Sequence, residues 1–302
     1  MHGFWEDLPG ERLDLLVSDR AHRTAKPEII CHVFSSPLPS NAIWHIRDNL
    51  YCTSPAFTAL LYCRGRSLAE CIVLLMELLG TYTLPESATM PISWGGRWPD
   101  NIDEAAVQQK HLNRIEPAVT MKELKALAKW ATSSSDRTFR TAVDLALPGS
   151  ASPGETVMCG MFAPPLRCGG FGLANLSNEG MLLNHRIDFT HDAALMASGI
   201  PYAVADAYIP AAKTDLEYNG FDHELENYRV HDGHRNNGLK GMGIKVVAIN
   251  REQMRDIPAL EAIAKSIYKD AGKRFRYQFS GYRPRQAAML NGLRRGSGLP
   301  PV

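Results

Sequence analysis

Residues 206–249, DAYIPAAKTDLEYNGFDHELENYRVHDGHRNNGLKGMGIKVVAI, decide the fold of the second half of the chain. Asp206 ends one short apolar piece, YAVAD, and a second piece, TDLEYN, contains Glu217. The Asn219-Gly220 pair that follows is typical of a turn. If the two pieces pair as the strands of a hairpin, Asp206 and Glu217 lie side by side. Two carboxylates that converge either hold a divalent metal ion or repel each other, so that their pKa values separate.

The remainder of this stretch predicts a helix followed by a buried strand. His223 follows the turn, and the charged segment from Glu224 to Lys240 indicates a helix, or a turn and a helix, that carries Asp232 and Arg235. The closing run, IKVVAI, is rich in β-branched residues, which is typical of a strand buried in a sheet. Strands and helices therefore alternate, and the predicted fold class is α/β.

Capping residues mark the starts of several helices. Ser54 precedes Pro55, and Ser67 precedes an apolar stripe at helical spacing, which is the usual pattern of an N-cap. Further helices are predicted over Thr120–Thr132, Thr138–Leu147 and Met254–Ala271, and strands over Ile29–Phe34, Ile43–Ile46, Leu50–Thr53 and Leu183–Phe189. The loop PGSAS at residues 148–152 is the predicted domain boundary.

The order of the residues in this central stretch resembles the Vsr-like branch of the PD-(D/E)XK endonuclease superfamily, as found at the C-terminus of actinobacterial AbiEi-like proteins. The matching positions are Asp206, Glu217, Gly220, His223, Asp232, Arg235, Leu239, Gly243, Val246 and Val247. Upstream, SPGET at 152–156 and LRCGGFGL at 166–173 are similar to a helix start and loop of those proteins. One position departs from the family, because Asn219 stands where Asp is usual.

The resemblance implies two domains. Residues 150–302 would form a restriction-endonuclease-like mixed sheet flanked by helices, with a basic C-terminal tail. Residues 1–149 would form an α-rich domain containing a small β unit, which recognises DNA or contacts a protein partner. The implied activity is Mg²⁺-dependent or Mn²⁺-dependent hydrolysis of DNA phosphodiesters, in defence or repair.

The resemblance also assigns roles to individual residues. Asp206 and Glu217 are the implied metal ligands, and His223 acts as general base or donates to the scissile phosphate. Asp232 orients His223 or the basic side chain, and Arg235 holds the phosphate bidentately.

Glu155 has two interpretations. It is either the third residue of a capping box that begins at Ser152, or a further acidic residue that reaches the metal site.

Basic residues near the C-terminus predict contact with nucleic acid. The segment from Lys269 to Arg295 mixes Lys and Arg with aromatic residues, a composition that suits phosphate contact and base stacking. The alternative is a partly ordered, solvated tail with some aromatic residues docked. The residues expected to bind nucleic acid are Arg235, Lys240, Lys273, Arg274 and Arg276.

Trp94 and Trp98 have three interpretations. They stack on bases, contact a partner or anchor an ordered loop.

The Asn at position 219 supports a second hypothesis from another class of protein. Asn cannot replace the charge of the family's usual Asp, although it remains a neutral oxygen ligand and suits a turn. The fold would then be retained in a catalytically inactive DNA-binding or antitoxin-like regulator. This hypothesis predicts salt-sensitive DNA binding without strand cleavage.

Composition limits the class of protein. With 302 residues, 45% hydrophobic and 22% charged, the chain resembles a soluble globular protein of two domains. Its six cysteines form no CxxC pair, which favours a reducing cytoplasm over a disulfide framework or zinc ribbon. The N-terminal residues lack the pattern of a signal peptide. The apolar stretch Leu68–Leu79 is too short to span a bilayer, and we therefore expect no membrane association.

Overall fold

A computed structural model describes residues 12–83, 112–113, 115–219, 226–277 and 280–302, without the side chains of residues 83, 112, 113 and 226–232. The predictions for Trp94, Trp98, Gly220 and His223, and for the side chain of Asp232, lie outside this part of the chain. The chain divides into two compact units, residues 1–52 and residues 53–302.

The first unit contains short strands. Its elements are β1 (Leu13–Val17), β2 (Ile29–Val33), β3 (Ile43–Arg47) and β4 (Leu50–Thr53). Strands β1 and β2 pair in parallel, and β3 pairs with β4. These two-stranded sheets correspond to the small β unit expected near the N-terminus.

The second unit begins with helices that start at their predicted caps. The elements are α1 (Pro55–Cys63), α2 (Leu68–Leu78), β5 (Tyr82–Thr83), β6 (Leu112–Asn113), α3 (Met121–Trp130) and α4 (Arg137–Leu145). The side chains of Ser54, Ser67 and Thr120 each accept a hydrogen bond from a backbone N–H in the first turn of the helix that follows. Short polar side chains at these positions satisfy donors that the helix itself leaves unpaired.

The same unit continues into a mixed sheet. The elements are α5 (Pro153–Phe162), β7 (Leu182–Asp188), α6 (His191–Met196), β8 (Tyr202–Ile209), β9 (Thr214–Asn219), α7 (Glu226–Gly241), β10 (Lys245–Asn250), α8 (Ile257–Asp270) and α9 (Tyr282–Gly296). The sheet order is β10-β9-β8-β7, with β7, β8 and β9 antiparallel and β10 parallel to β9. Helix α7 supplies the crossover that a parallel pair requires. The prediction of a mixed α/β fold is confirmed.

One detail differs from the prediction around Asp206. The strand does not stop at Asp206 but runs on to Ile209, and a short 3-10 turn at Pro210–Ala212 joins it to β9. Asn219 is the last residue of β9, so the strand ends where the Asn219-Gly220 pair predicted a turn. The structure does not describe Gly220.

The C-terminal helix α9 packs inside the second unit instead of forming a solvated tail. Leu290 and Leu293 are fully buried, and α9 contacts both α2 and α5. An added Cβ at Gly292 would lie 2.5 Å from the Cβ of Ala69, so the two helices approach closely. The alternative of a partly ordered, solvated tail is wrong for this helix. The expected division between residues 149 and 150 falls inside a unit in which helices from both sides share one core.

Replacing Gly154 by Ala is expected to destabilise the protein by about 2 kcal/mol, because overpacking a filled core has that cost. An ideal Cβ at Gly154 would lie 2.1 Å from the ring of Tyr218, at the contact between α5 and β9. Chemical denaturation measures the change. Gly233→Ala in α7 is the matched control, because a Cβ there meets nothing within 4 Å. Equal stability of the two variants would contradict this close contact.

Candidate functional site

The register of β8 and β9 places Asp206 opposite Glu217. Ala207 pairs with Leu216 and Tyr208 with Asp215, so the next antiparallel pair outward is Asp206 with Glu217. The carboxylate of Asp206 accepts a hydrogen bond of 2.9 Å from the backbone N of Tyr218. The backbone N of Asp206 lies 3.5 Å from Oε1 of Glu217. The structure therefore brings together the two acidic residues that the sequence singled out.

A third acidic residue, Asp215, belongs to this cluster. Side chains two residues apart in a strand point to the same face, and Asp215 and Glu217 are so related on β9. Asp215 is 0% exposed, and its Oδ1 atom has no hydrogen-bond partner among the residues that the structure describes. Sequence reasoning missed this residue, although the alternation of the strand TDLEYN was a usable signal. We call Asp206, Asp215 and Glu217 the acidic cluster.

The cation that contacts the acidic cluster is Arg235 of α7. Its Nη2 donates to the carbonyl of Val204 at 2.7 Å, to Oδ2 of Asp215 at 3.0 Å and to Oε1 of Glu217. Its side chain is only 15% exposed. The sequence predicted that Arg235 holds a phosphate, whereas in this structure its guanidinium faces the acids. One guanidinium cannot neutralise three carboxylates, so the cluster keeps a negative charge when all three are ionised.

Burial and neighbouring negative charges raise the pKa values of two carboxyl groups in the acidic cluster. Burial, then the charges of Glu217 and Glu155, raise the pKa of Asp206 to about 8. Burial and the adjacent Glu217 raise the pKa of Asp215 to about 9, although Arg235 acts in the opposite direction. Burial lowers the pKa of Arg235, but the nearby carboxylates outweigh this effect and raise it overall. Protons or cations are therefore held tightly at this position.

Glu155 serves mainly as a structural residue at the start of α5. Its carboxylate accepts hydrogen bonds from the N of Ala151, from the hydroxyl of Ser152 and from Nδ2 of Asn184, at 2.9–3.0 Å. The capping interpretation is confirmed, except that the backbone donor to the Glu155 carboxylate is the N of Ala151 rather than that of Ser152. Burial raises the pKa of Glu155, and the charge of Glu217 adds to the shift, so Glu155 also adds negative potential beside the acidic cluster.

The predicted nucleic-acid-binding residues lie elsewhere in the second unit. Lys240, near the end of α7, is exposed, as are Arg274 and Arg276 after α8. Lys273 donates to the carbonyl of Leu176. These four positions present positive charge at the surface, separately from Arg235.

The acidic cluster has the chemistry of a site for a hard divalent cation. Carboxylate oxygens are the ligands that Mg²⁺ prefers, and Asp215 adds a buried carboxyl group beside Glu217. In the part of the chain that the structure describes, no three His, Cys, Asp or Glu side chains are close enough together to hold a metal ion. Asp206, Asp215 and Glu217 would therefore hold such an ion only after a local rearrangement that includes Arg235.

Comparison with family models, with curated proteins and with solved structures found no match for this chain. Among the described helices, none is both long and apolar enough to cross a membrane. The functional argument therefore depends on the geometry of the acidic cluster.

Proposed function

We propose that the protein is a Mg²⁺-dependent endonuclease that hydrolyses DNA phosphodiester bonds. The observation that carries this proposal is the placement of three acidic side chains, Asp206, Asp215 and Glu217, on one face of β8 and β9, where Arg235 contacts two of them. Burying several acidic groups is costly unless a cation accompanies them or they take up protons, and the raised pKa values of Asp206 and Asp215 reflect this cost. Carboxylate clusters with raised pKa values are typical of functional sites.

The order of secondary structure supports the proposal. Helix α5 precedes three antiparallel strands, and α7 then leads to the parallel strand β10. Helix α5 contacts β8 and β9, and α7 contacts β8 and β10. This order agrees with a restriction-endonuclease-like sheet flanked by helices, which the resemblance to the Vsr-like branch implies. Fold alone does not establish function, so the acidic cluster remains the main argument.

The chain would contribute positioning and charge to the reaction. A bound Mg²⁺ supplies a water of lowered pKa and neutralises charge at the phosphate. Asp206, Asp215 and Glu217 would hold the ion. Once released from the carboxylates, the guanidinium of Arg235 could donate two hydrogen bonds to a phosphate oxygen pair. His223, the proposed general base, lies outside the described residues.

A catalytically inactive DNA-binding regulator is the second candidate. The contacts of Arg235 favour it, because a guanidinium that bonds Asp215 and Glu217 already supplies a cation to the cluster. Asn219 favours it too, since this residue ends β9 beside the cluster without adding charge. The regulator would bind DNA in a salt-dependent manner and would not cut it.

Nicking of supercoiled plasmid in Mg²⁺ or Mn²⁺ tests the two candidates. The endonuclease proposal predicts cleavage that EDTA abolishes and that Asp206→Asn and Glu217→Gln each reduce by roughly 100-fold or more, the scale of losing one transition-state contact. Asp144→Asn, a change at an exposed acidic residue of α4, is the control. Cleavage that persists in both cluster variants would refute the assignment of the site. DNA binding without cleavage would favour the regulator.

A further inference from the structure

An arginine and a tyrosine form an exposed ledge on the sheet near the acidic cluster. The guanidinium carbon of Arg186, on β7, lies 3.9 Å from the ring centroid of Tyr202, on β8. Arg186 is 59% exposed and Tyr202 38% exposed. Nε of Arg186 donates a hydrogen bond to Oδ1 of Asp188 at 2.7 Å. The two terminal amino groups of the Arg186 guanidinium take no part in that hydrogen bond and can donate to another acceptor. We call this pair the Tyr202–Arg186 ledge.

The strand register relates the ledge to the acidic cluster. Arg186 pairs with Val204, and Asp188 with Tyr202, in the antiparallel ladder of β7 and β8. Tyr202, Val204 and Asp206 are two residues apart in turn, so their side chains share one face of β8. At about 3.3 Å per residue, Val204 lies roughly 7 Å and Tyr202 roughly 13 Å along the strand from Asp206. The ledge is therefore about one to two nucleotides from the proposed site.

The surface between the ledge and the acidic cluster is open and apolar. Val204 is 41% exposed although its carbonyl accepts from Arg235 within the cluster. An aromatic ring beside a guanidinium offers a flat surface to a nucleobase and a donor pair to a phosphate oxygen.

We propose that the Tyr202–Arg186 ledge binds an unpaired nucleotide next to the bond that is cut. This inference rests on the proposed endonuclease function and specifies its substrate. A base in an intact duplex is covered by its stacked neighbours, whereas a base in a single-stranded segment has a free face that can stack on a side chain. The preferred substrate is therefore DNA with a short single-stranded segment beside the scissile phosphate.

The charge of the ledge favours nucleic acid over an apolar protein surface. A protein interface that buried Tyr202 and Val204 would also have to desolvate the guanidinium of Arg186 and the carboxylate of Asp188. A phosphate oxygen instead gains a charge-assisted hydrogen bond from that guanidinium. The exposed ion pair with Asp188 is a weak competitor, because surface ion pairs contribute little.

Fluorescence anisotropy in Ca²⁺ buffer tests this proposal without relying on cleavage. The probes are a fluorescein-labelled DNA duplex and the same duplex interrupted by a few unpaired nucleotides. The native protein is expected to bind the interrupted duplex more tightly, and Tyr202→Ala to weaken that binding roughly 5- to 100-fold. Tyr202→Phe keeps the ring and is expected to bind like the native protein.

Arg186→Ala is expected to reduce the slope of log affinity against log salt by about 0.7, the loss of one contact to a single-strand phosphate. Lys122→Ala, at an exposed lysine of α3, is the charge control and should leave both the slope and the preference unchanged.

Equal affinity of the native protein for the two probes would overturn the proposal, as would unchanged binding by Tyr202→Ala. Binding of neither probe would overturn it as well and would make an apolar protein surface the better partner. The expected binding pattern without plasmid nicking would support the ledge and refute the catalytic proposal. Plasmid nicking by the native protein, together with unchanged binding of the interrupted duplex by Tyr202→Ala, would support the catalytic proposal and refute the ledge.

Discussion

Replacing Asp215 by Asn is expected to stabilise the metal-free protein at about pH 8 by several kcal/mol and to flatten its dependence on pH. The pKa of Asp215 is raised to about 9 by burial and by Glu217. The folded chain therefore keeps a proton that the unfolded chain releases near pH 4. A raised carboxyl pKa favours folding at low pH, and this contribution is lost as the pH rises towards 9. Native stability in EDTA should fall over that window.

The loss amounts to about 1.4 kcal/mol per pH unit for each proton that only the folded chain retains. Asp206, whose pKa is raised to about 8, adds to the same trend at slightly lower pH. Asn has a similar shape and carries no charge, so Asp215→Asn removes the titration and still offers Arg235 an acceptor oxygen. Urea denaturation at about pH 5, 7 and 9 in EDTA measures the effect.

Addition of Mg²⁺ should narrow the difference in stability between the native protein and Asp215→Asn. A ligand that binds only the folded chain stabilises it by about 2.7 kcal/mol at 100 times its dissociation constant. The native protein gains this stabilisation, and Asp215→Asn gains less of it. Asp144→Asn is the control and should follow the native protein in both buffers. If Asp215→Asn has the native pH dependence, or if stability rises from pH 5 to pH 9, the charge assignment of the cluster is wrong.

Replacing Arg235 by Met is expected to destabilise the metal-free protein by about 3–5 kcal/mol at neutral pH, the usual cost of removing one partner of a buried ion pair. The guanidinium contacts Asp215, Glu217 and the carbonyl of Val204. Met fills much of the same volume and leaves the carboxylates without a cation. Thermal denaturation with and without Mn²⁺ is the measurement.

Divalent cations should stabilise the Arg235→Met variant more than the native protein. In the native protein the ion must displace the guanidinium from Asp215 and Glu217, whereas in the variant it meets carboxylates that have no counter-charge. Isothermal titration calorimetry with Mn²⁺ should therefore show a lower dissociation constant for the variant.

Arg235→Lys keeps a positive charge beside the acidic cluster, unlike Arg235→Met. It should lose less stability and bind Mn²⁺ about as the native protein does. If Mn²⁺ stabilises Arg235→Met no more than the native protein, Arg235 and the ion do not compete. The acidic cluster would then be a structural ion-pair network rather than a cation site.

Local signals in the sequence determined most of the secondary structure. Helices α1, α2, α3 and α5 begin at Ser54, Ser67, Thr120 and Ser152, as predicted, because a cap is a contact between near neighbours in the chain. The pairing of Asp206 with Glu217 was also predictable from the sequence. A short connection between two adjacent strands allows only a few pairing registers. The mixed α/β class follows from this alternation of elements.

The tertiary structure decided which charges meet in the acidic cluster. Arg235 lies 18 residues beyond Glu217 and 20 beyond Asp215, on a helix whose rotation about its axis depends on packing. A sequence pattern shows that an arginine is present, but not whether its guanidinium faces solvent, a phosphate or a carboxylate. Asp215 could be placed on the face of Glu217 by alternation, yet its complete burial depends on elements that contact β9 from elsewhere.

The packing of α9 against α2 also depends on the tertiary structure alone. Gly292 and Ala69 are more than 200 residues apart in the chain, and their close approach joins helices from both sides of the expected boundary at residues 149 and 150. The arginines around Leu290 and Leu293 make the segment look like a solvated tail. Its apolar face becomes recognisable only against the helices that bury it, because burial is a property of the whole fold. The sequence by itself determined where the elements begin and which acids pair across β8 and β9, whereas long-range packing decided the counter-charge and the core.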